Sequence, residues 1–413
     1  MSLKLRSKND WGRLDMTYEW NHSTINDVCV LVTDGSHSSP KSVNDGKYMV
    51  SVKDFTDYGF DFASCRMISN DDYETLKRNG CVPQIDDILI GKDGARFFED
   101  IIIYRQREKP ALLSSIAILR CDKSKILPDF LYYVLRTPSF RQDVKDNYGS
   151  GSAIPRIILK DFKRMMVSYP SLEKQQAIIS VLTAIDSKIQ ANTEINDNLQ
   201  QQLFSLYENM ATASPRLKEY TLSNLCDFQE GYVNPPQTHP EYFDGEVKWL
   251  RAVDINESFI IETSRTLTKA GFESAKKSAL LFEPNTIAIS KSGTIGRLGI
   301  IADYMCGNRA VINIAPHDTN MLAFIYCFLK SKQREFPDMA VGSVQKNLYV
   351  SLLEPLSVSI PDNESLTAFN AVGASILGMI HNNCVENTDL ANLRDTILPK
   401  LMSGEIDVSS VLL

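Results

Sequence analysis

The forty residues Ser171–Met210, SLEKQQAIISVLTAIDSKIQANTEINDNLQQQLFSLYENM, decide how the rest of the chain is read. One row at seven-residue intervals is Ile178, Ile185, Asn192, Leu199 and Leu206. A companion row is Leu182, Ile189, Asn196, Leu203 and Met210. The two alternate by four and three residues and are apolar except for the asparagines, which is the seam of a coiled coil. No glycine interrupts the stretch, and Pro170 precedes it, where a helix starts readily. At ~1.5 Å per residue the helix would be about 60 Å long. Its apolar stripe needs a partner.

The same pattern returns 191 residues later, where Pro361 stands to Pro170 as Glu364 to Glu173, Ala368 to Ala177, Ile376 to Ile185 and Ile380 to Ile189. The second seam runs Phe369, Gly373, Ile376, Ile380, Asn383, Asn387, Leu390, Arg394, Ile397, Leu401. Asn383 and Asn387 take the seam positions of Asn192 and Asn196. Amides in the middle of a seam lower stability but fix register, because a slip would set them against leucine. In an antiparallel pair the asparagine layers can meet. The sequence alone would also allow these asparagines to be mere weak helix, but their double coincidence favours the register role.

Taken whole, the chain has the composition expected of an ordinary water-soluble protein, with 413 residues, 43% hydrophobic content and a mean hydropathy of −0.17. That length predicts two or three domains. No apolar run approaches the ~18 residues of a membrane span. The opening MSLKLRSKND lacks the apolar segment of a secretory signal. Eight cysteines, without a CxxC pair, suit reduced thiols better than disulfides or zinc, so a cytoplasmic protein is expected. The formal net charge is −7, but its distribution matters more than its sum. Residues 136–164 carry seven Lys/Arg against three Asp/Glu, and residues 291–346 seven against four. Residues 361–413 carry two basic and seven acidic side chains.

The stretches between the helices also repeat. A strand is expected over Tyr48–Phe55 and another over Trp249–Ile255, with Asp54 and Asp254 in like places. Leu222–Phe228 follows the pattern of Ile25–Leu31, and the loop at Glu230-Gly231-Tyr232 that of Asp34-Gly35. A strand–loop–strand passage through Gly91-Lys92-Asp93-Gly94 into Ala95-Arg96 returns as Ser290-Lys291-Ser292-Gly293 to Arg297. Phe130–Arg136 is expected to be helical, like Phe324–Lys330. The loop from Tyr148 to Arg156, holding Ser150, Gly151 and Ser152, returns as Gly342-Ser343-Val344-Gln345-Lys346. The pattern predicts an α+β chain: two mixed α/β domains related by an internal pseudo-twofold and separated by a pair of long coiled-coil helices, with the antiparallel direction expected if the asparagine layers are to meet. The expected boundaries are 1–170 for the first domain, 171–213 for the first helix and linker, 214–361 for the second domain, and 362–413 for the second helix and tail.

Few residues suggest catalysis. Asn234-Pro235-Pro236-Gln237 resembles the tetrapeptide of adenine methyltransferases but lacks its closing aromatic. Pro128-Asp129 and Pro337-Asp338 lack a following ExK, the glycine loops lack GK[ST], and five histidines show no i, i+4 pair. No catalytic residue and no metal ligand is therefore assigned. The loops suit nucleic acid instead. Lys92, Arg96, Arg156, Lys291, Arg297 and Arg309 can neutralise phosphate or pair with guanine. Ser150, Gly151, Ser152, Ser343, Gln345 and Lys346 supply small donors and close backbone approach, and Tyr232 an aromatic contact. Singly, such loops are most often only turns. In two copies they suggest two-site reading of one duplex.

These residues resemble the specificity (S) subunit of type I restriction–modification systems over nearly the whole chain. SLEKQQAIISVLTAIDSKI at Ser171–Ile189 is similar to the family's LPPLxEQxxI…LxxLDxKI helix start, and Leu398–Ile406, LPKLMSGEI, to its C-terminal ending. Ser292-Gly293-Thr294-Ile295-Gly296 and Asp34-Gly35-Ser36-His37 resemble its recurring target-domain motifs, which adds Ser36, His37, Ser292 and Thr294 to the DNA-binding candidates. Departures are the missing second proline at Tyr169-Pro170-Ser171 and Ile360-Pro361-Asp362, Leu366-Thr367 in place of Gln175-Gln176, and Arg394 within the second seam.

The resemblance implies a non-catalytic DNA-recognition subunit in which each globule reads one half of a bipartite double-stranded target. The helices would set the spacing and dock two methyltransferase (M) subunits, with motor-nuclease (R) subunits joining. S-adenosylmethionine, ATP and Mg would be bound by those partners and no cofactor by this chain. A scaffold with two globules on a coiled coil and no DNA, or the S subunit of a methylation-only system, remain the alternatives at this point.

Overall fold

The computed structural model describes residues 20–149, 155–213, 218–343 and 345–408. The chain divides into two units, one of residues 1–185 with 392–413 and the other of residues 186–391.

In the first unit, a four-stranded antiparallel sheet has the spatial order Cys29–Asp34, Ile116–Cys121, Ile88–Gly91, Ile101–Ile103. The inner strands Ile88–Gly91 and Ile116–Cys121 are apolar on both faces because both are covered, and the two-residue period of a strand divides each between two cores. Ile88, Ile90, Ala117 and Leu119 face a core shared with Phe130 and Leu131 of the helix Pro128–Arg136. Leu89, Ile116 and Ile118 face Val50, Phe60, Tyr104 and Leu112. A smaller sheet, Arg66–Ile68, Lys47–Val50, Ala111–Leu112, includes a parallel pair registered at Met49 and Ala111. Asn21–Thr24 pairs antiparallel with Met166–Tyr169, the strand that leads into the first long helix.

The second unit repeats this plan. Cys226–Glu230, Val311–Pro316, Ile287–Ser290 and Leu298–Ile301 lie in the same order, extended by a parallel strand at Phe259–Ile260. Phe243–Leu250 lies between Thr266–Leu267 and a parallel neighbour, Met305–Gly307. Lys218–Thr221 pairs antiparallel with Ser357–Ile360 ahead of the second long helix. The helix Leu322–Lys332 is buried along Leu322–Leu329 because it packs on the sheet.

The long helices are Leu172–Ala213 and Asn363–Ser403. In the first unit Ile178, Ile179, Val181 and Leu182 share a core with Leu398 and Leu401. In the second, Leu203 and Tyr207 share one with Phe369, Ile376, Leu377 and Ile380. The asparagines establish the direction. Asn192 donates to Asn387 at 2.9 Å and Asn383 to Asn196 at 2.8 Å, so one helix ascends four residues as the other descends four: the pair is antiparallel. Gln175, fully buried, holds the start of the first long helix to its globule. It accepts from the Leu127 amide at 2.8 Å and donates to the Lys125 and Pro170 carbonyls at 2.9 and 3.0 Å.

Three local expectations change. Leu206 is 41% exposed, and Tyr207 takes the inward place against Phe324 and Phe369. An α-helix has 3.6 residues per turn, so a stripe begun at 3.5 drifts unless the helices supercoil enough to follow it. The strands at Tyr48 and Trp249 end at Val50 and Leu250, before 3-10 turns at Val52–Asp54 and Ala252–Asp254. Asp54 accepts the Ser51 amide at 2.7 Å and Asp254 the Arg251 amide at 2.8 Å, so both aspartates close the same turn. No strand forms at Ala95-Arg96. The chain there makes a tight turn around buried Phe98, whose φ is 62° and whose amide donates to the Gly91 carbonyl at 2.7 Å.

Candidate nucleic-acid interface

In each repeat the same four segments meet beyond the end of one strand of the main sheet. In the first that strand is Ile88–Gly91. Lys92, next along, donates its amide to the Ser115 carbonyl at 2.9 Å and accepts from the Ile157 amide at 3.0 Å. The backbones of Asp93 and Arg156 pair in an isolated antiparallel β-bridge, and the Gly94 amide donates to the Pro155 carbonyl at 2.9 Å. The Ser114 amide donates to the Ser36 carbonyl at 2.9 Å, which brings in the Asp34-Gly35 loop. In the second repeat the strand is Ile287–Ser290. Lys291 donates its amide to Ala310 at 2.7 Å and accepts from Leu348 at 2.9 Å. Ser290 and Arg297 close the loop between them, since the Ser290 hydroxyl donates to the Thr294 carbonyl and accepts from the Arg297 amide. Gly231 joins through its amide, which donates to the Val311 carbonyl at 2.9 Å.

Glycine is required where the first-strand loops make their approach. A Cβ on Gly35 would lie 2.4 Å from the Leu112 and Leu113 carbonyl oxygens, and one on Gly231 2.2 Å from that of Asn308. Gly94 and Gly293 sit at φ 95° and 77° with open space around them, so conformation alone favours glycine there.

The candidate side chains divide into three groups. Arg297, Arg309, Lys346, Thr294, Ser343 and Gln345 are exposed, and among the described residues no ion pair holds Arg297, Arg309 or Lys346. Arg156 is exposed and Ser292 half-buried. Arg96 is exposed but engaged with Asp100 at 2.7 Å, whose hydrogen bond holds its pKa above the usual arginine value. His37 is exposed and lies 3.4 Å from Asp34, while Tyr232 donates to Glu230 at 2.9 Å, which holds its phenol above the ordinary value.

The third group lies inward. Lys92, expected at phosphate, is 6% exposed, with its Nζ 3.5 Å from Asp34 and 3.4 Å from Asp93. Lys291 likewise lies 2.8 Å from Glu230 and 4.8 Å above the Tyr349 ring. Ser36 is buried, and its hydroxyl donates to the Ser38 carbonyl at 2.8 Å. Ser150, Gly151 and Ser152 lie outside the described residues.

The residues that organise these loops include several that the sequence did not single out. Glu257, at φ 64°, accepts from Lys330 at 2.5 Å and Gln333 at 2.8 Å. Gln333 also donates to the Gly296 carbonyl at 3.0 Å, fixing the loop before Arg297. Asp87, fully buried, is gripped at both oxygens by Arg120, each at 2.8 Å, beneath the corresponding sheet. Such contacts join residues far apart in sequence and leave no local pattern.

The helix seam is a second candidate site. Asn192 is 1% exposed, donates to Glu386 at 2.7 Å as well as to Asn387, and accepts from Lys188 at 3.0 Å. Asn387 donates to Thr193 at 3.4 Å. The bond from Asn192 and the ion pair with Lys188 hold Glu386 below the usual carboxylate pKa. Among the described residues no cluster of His, Cys, Asp and Glu is grouped to hold a metal, and no helix is long and apolar enough to cross a membrane.

The sequence profile of the type I restriction modification DNA specificity domain matches residues 18–201 and again 216–388. The chain is 25% identical over 311 residues to the specificity subunit of the type I restriction enzyme MjaIX of Methanocaldococcus jannaschii, spanning 70% of this chain and 71% of that one. With the HindI specificity subunit of Haemophilus influenzae it is 22% identical over 370 residues, spanning 70% of this chain and 80% of the other. The crystal structure of the S subunit of a type I restriction–modification system from M. genitalium aligns over 97% of this chain and 99% of its own, with a TM-score of 0.54 and 16% identity, a likeness of fold.

Proposed function

Since the chain belongs to the type I restriction–modification DNA specificity family, we propose that it recognises a bipartite duplex site, each repeat reading one half. The observation that carries this reading is the recurrence of one four-segment surface in both repeats. Beneath, the two copies share topology and backbone contacts. At the surface they differ, with His37, Arg96 and Arg156 in one and Tyr232, Arg297, Arg309 and Lys346 in the other. Like scaffolds with unlike exposed side chains suit two unlike half-sites, with arginine and lysine on phosphates or guanine edges and small polar groups alongside.

The paired helices set the gap between the half-sites and, with their acidic surface, offer docking faces to two M subunits, which R subunits join. Base methylation with S-adenosylmethionine, and ATP- and Mg-dependent translocation and cleavage, belong to those partners, and this chain contributes the choice of sequence. Mapping methylated bases in the source genome tests the reading. A motif of two specified parts with an unspecified gap is expected, and one uninterrupted motif would refute it.

A further inference from the structure

We infer that Lys92 and Lys291 are positioning residues: each locks the DNA-reading loops of its repeat to a carboxylate on the first strand of the sheet, and neither touches DNA. The inference rests on the two-part reading above, and names the residues beneath the surface that fix its geometry.

Both lysines leave the end of the same strand of the plan and return to the same place. The Lys92 and Asp34 side chains are 8% and 9% exposed, and those of Lys291 and Glu230 13% and 20%. Lys92 is buried and Lys291 half-buried, and each ammonium is already held by a carboxylate, so neither is turned out toward a phosphate. Each lysine is also a backbone hinge point, its N–H and C=O holding the loop on either side, Ser115 and Ile157 in one repeat, Ala310 and Leu348 in the other. The acid cannot drift, because the glycine after it is pressed against a neighbouring backbone.

Each carboxylate then makes a second contact, outward, and here the repeats diverge. Asp34 meets His37, whose side chain is 78% exposed, and Glu230 accepts the phenol of Tyr232, which is 49% exposed. An inward-turned lysine, an acid on the first strand and an exposed ring recur in both repeats, with a different ring presented each time and, in the first, Asp93 as a second carboxylate on the lysine. A change at the lysine therefore loosens the outward side chain while removing no cation from a phosphate.

The experiment is a titration of the full chain, assembled with its methyltransferase subunits, against duplexes carrying the mapped motif and versions scrambled in one half. Lys291→Met should lose at least tenfold discrimination at one half-site, leave the other unchanged, and leave the slope of log K against log salt as in the unaltered protein. Lys291→Arg, which restores a cation to Glu230, should recover the discrimination. A salt slope shallower by about one would put Lys291 on a phosphate and overturn the inference. So would unaltered discrimination. Glu230→Gln, nearly isosteric, serves if Lys291→Met fails to assemble: the same one-sided loss is expected, and none would overturn the inference. If the unaltered complex shows no two-part motif, the bipartite reading fails by itself, and the same variants judge the lysine against the whole motif.

Discussion

Replacing Asn192 by leucine tests whether the amide layer holds the helices in register. Asn192 is 1% exposed and makes three hydrogen bonds, to Glu386, Asn387 and Lys188. Glu386 and Lys188 are about half exposed and remain paired at 3.1 Å, so losing Asn192 costs them little. The cost falls on Asn387, whose carbonyl would face an alkyl chain without its donor; an unmet, partly buried acceptor is worth about 1–2 kcal/mol. Asn387→Leu should cost a similar amount or less, by leaving one N–H of the buried Asn192 amide without its acceptor while the other still donates to Glu386. Changing both removes donor and acceptor together, and the double variant should be near neutral or more stable, a coupling of about 1–2 kcal/mol.

The assay is hydrogen exchange over residues 186–200 with chemical denaturation of the full chain, since two units need not unfold in one step. Additive single effects would refute the pairing. A pH series adds a second readout. The pKa of Glu386 is depressed in the folded chain, so its contribution is present above the ordinary value of 4.5 and lost as pH falls through the lower folded value. Asn192→Leu should shrink that acid loss.

Two further outcomes follow from named contacts. Gln175→Leu, which copies Leu366 at the matching position of the second repeat, would leave the Leu127 amide and the Lys125 carbonyl unpaired in a partly buried place and the Pro170 carbonyl in a buried one. It should destabilise the first unit by about 2–5 kcal/mol, seen as faster exchange at residues 120–130; a change below about 1 kcal/mol would contradict the assigned role. Arg297→Ala and Lys346→Ala should each make the salt dependence of duplex binding shallower by about one if they sit on phosphates, or relax one base pair if they contact its edge. A gel titration showing neither would remove them from the interface.

The long helices and the tandem repeat were legible because their signals are local or periodic: alternation by four and three residues, an offset of 191 between the two helices that carries two asparagines with it, and loops that recur in the same order. The core strand Ile88–Gly91 was legible as the strand that enters the Gly91–Gly94 loop. The fate of Lys92 and Lys291 was not, because a basic residue beside a glycine looks the same whether it faces DNA or folds inward. What decides is a carboxylate on another strand, 61 residues earlier in the case of Glu230. Glu257 escaped for a like reason, since its partners lie on the helix Leu322–Lys332 and just beyond it. Leu206 shows the limit of a strict heptad, because the inward stripe had moved on to Tyr207 by that turn.

The central claim is that two readers are held at a distance set by the helices, and changing that distance tests it most directly. Seven residues added to both helices, placed to keep the asparagine layers opposite one another, lengthen each by about 10 Å. At about 3.4 Å per base pair that is close to three base pairs of duplex. Methylation mapping of cells carrying the lengthened protein should show both half-sites unaltered and the gap between them wider by up to about three base pairs. An unchanged gap, in a protein that still methylates, would contradict the account.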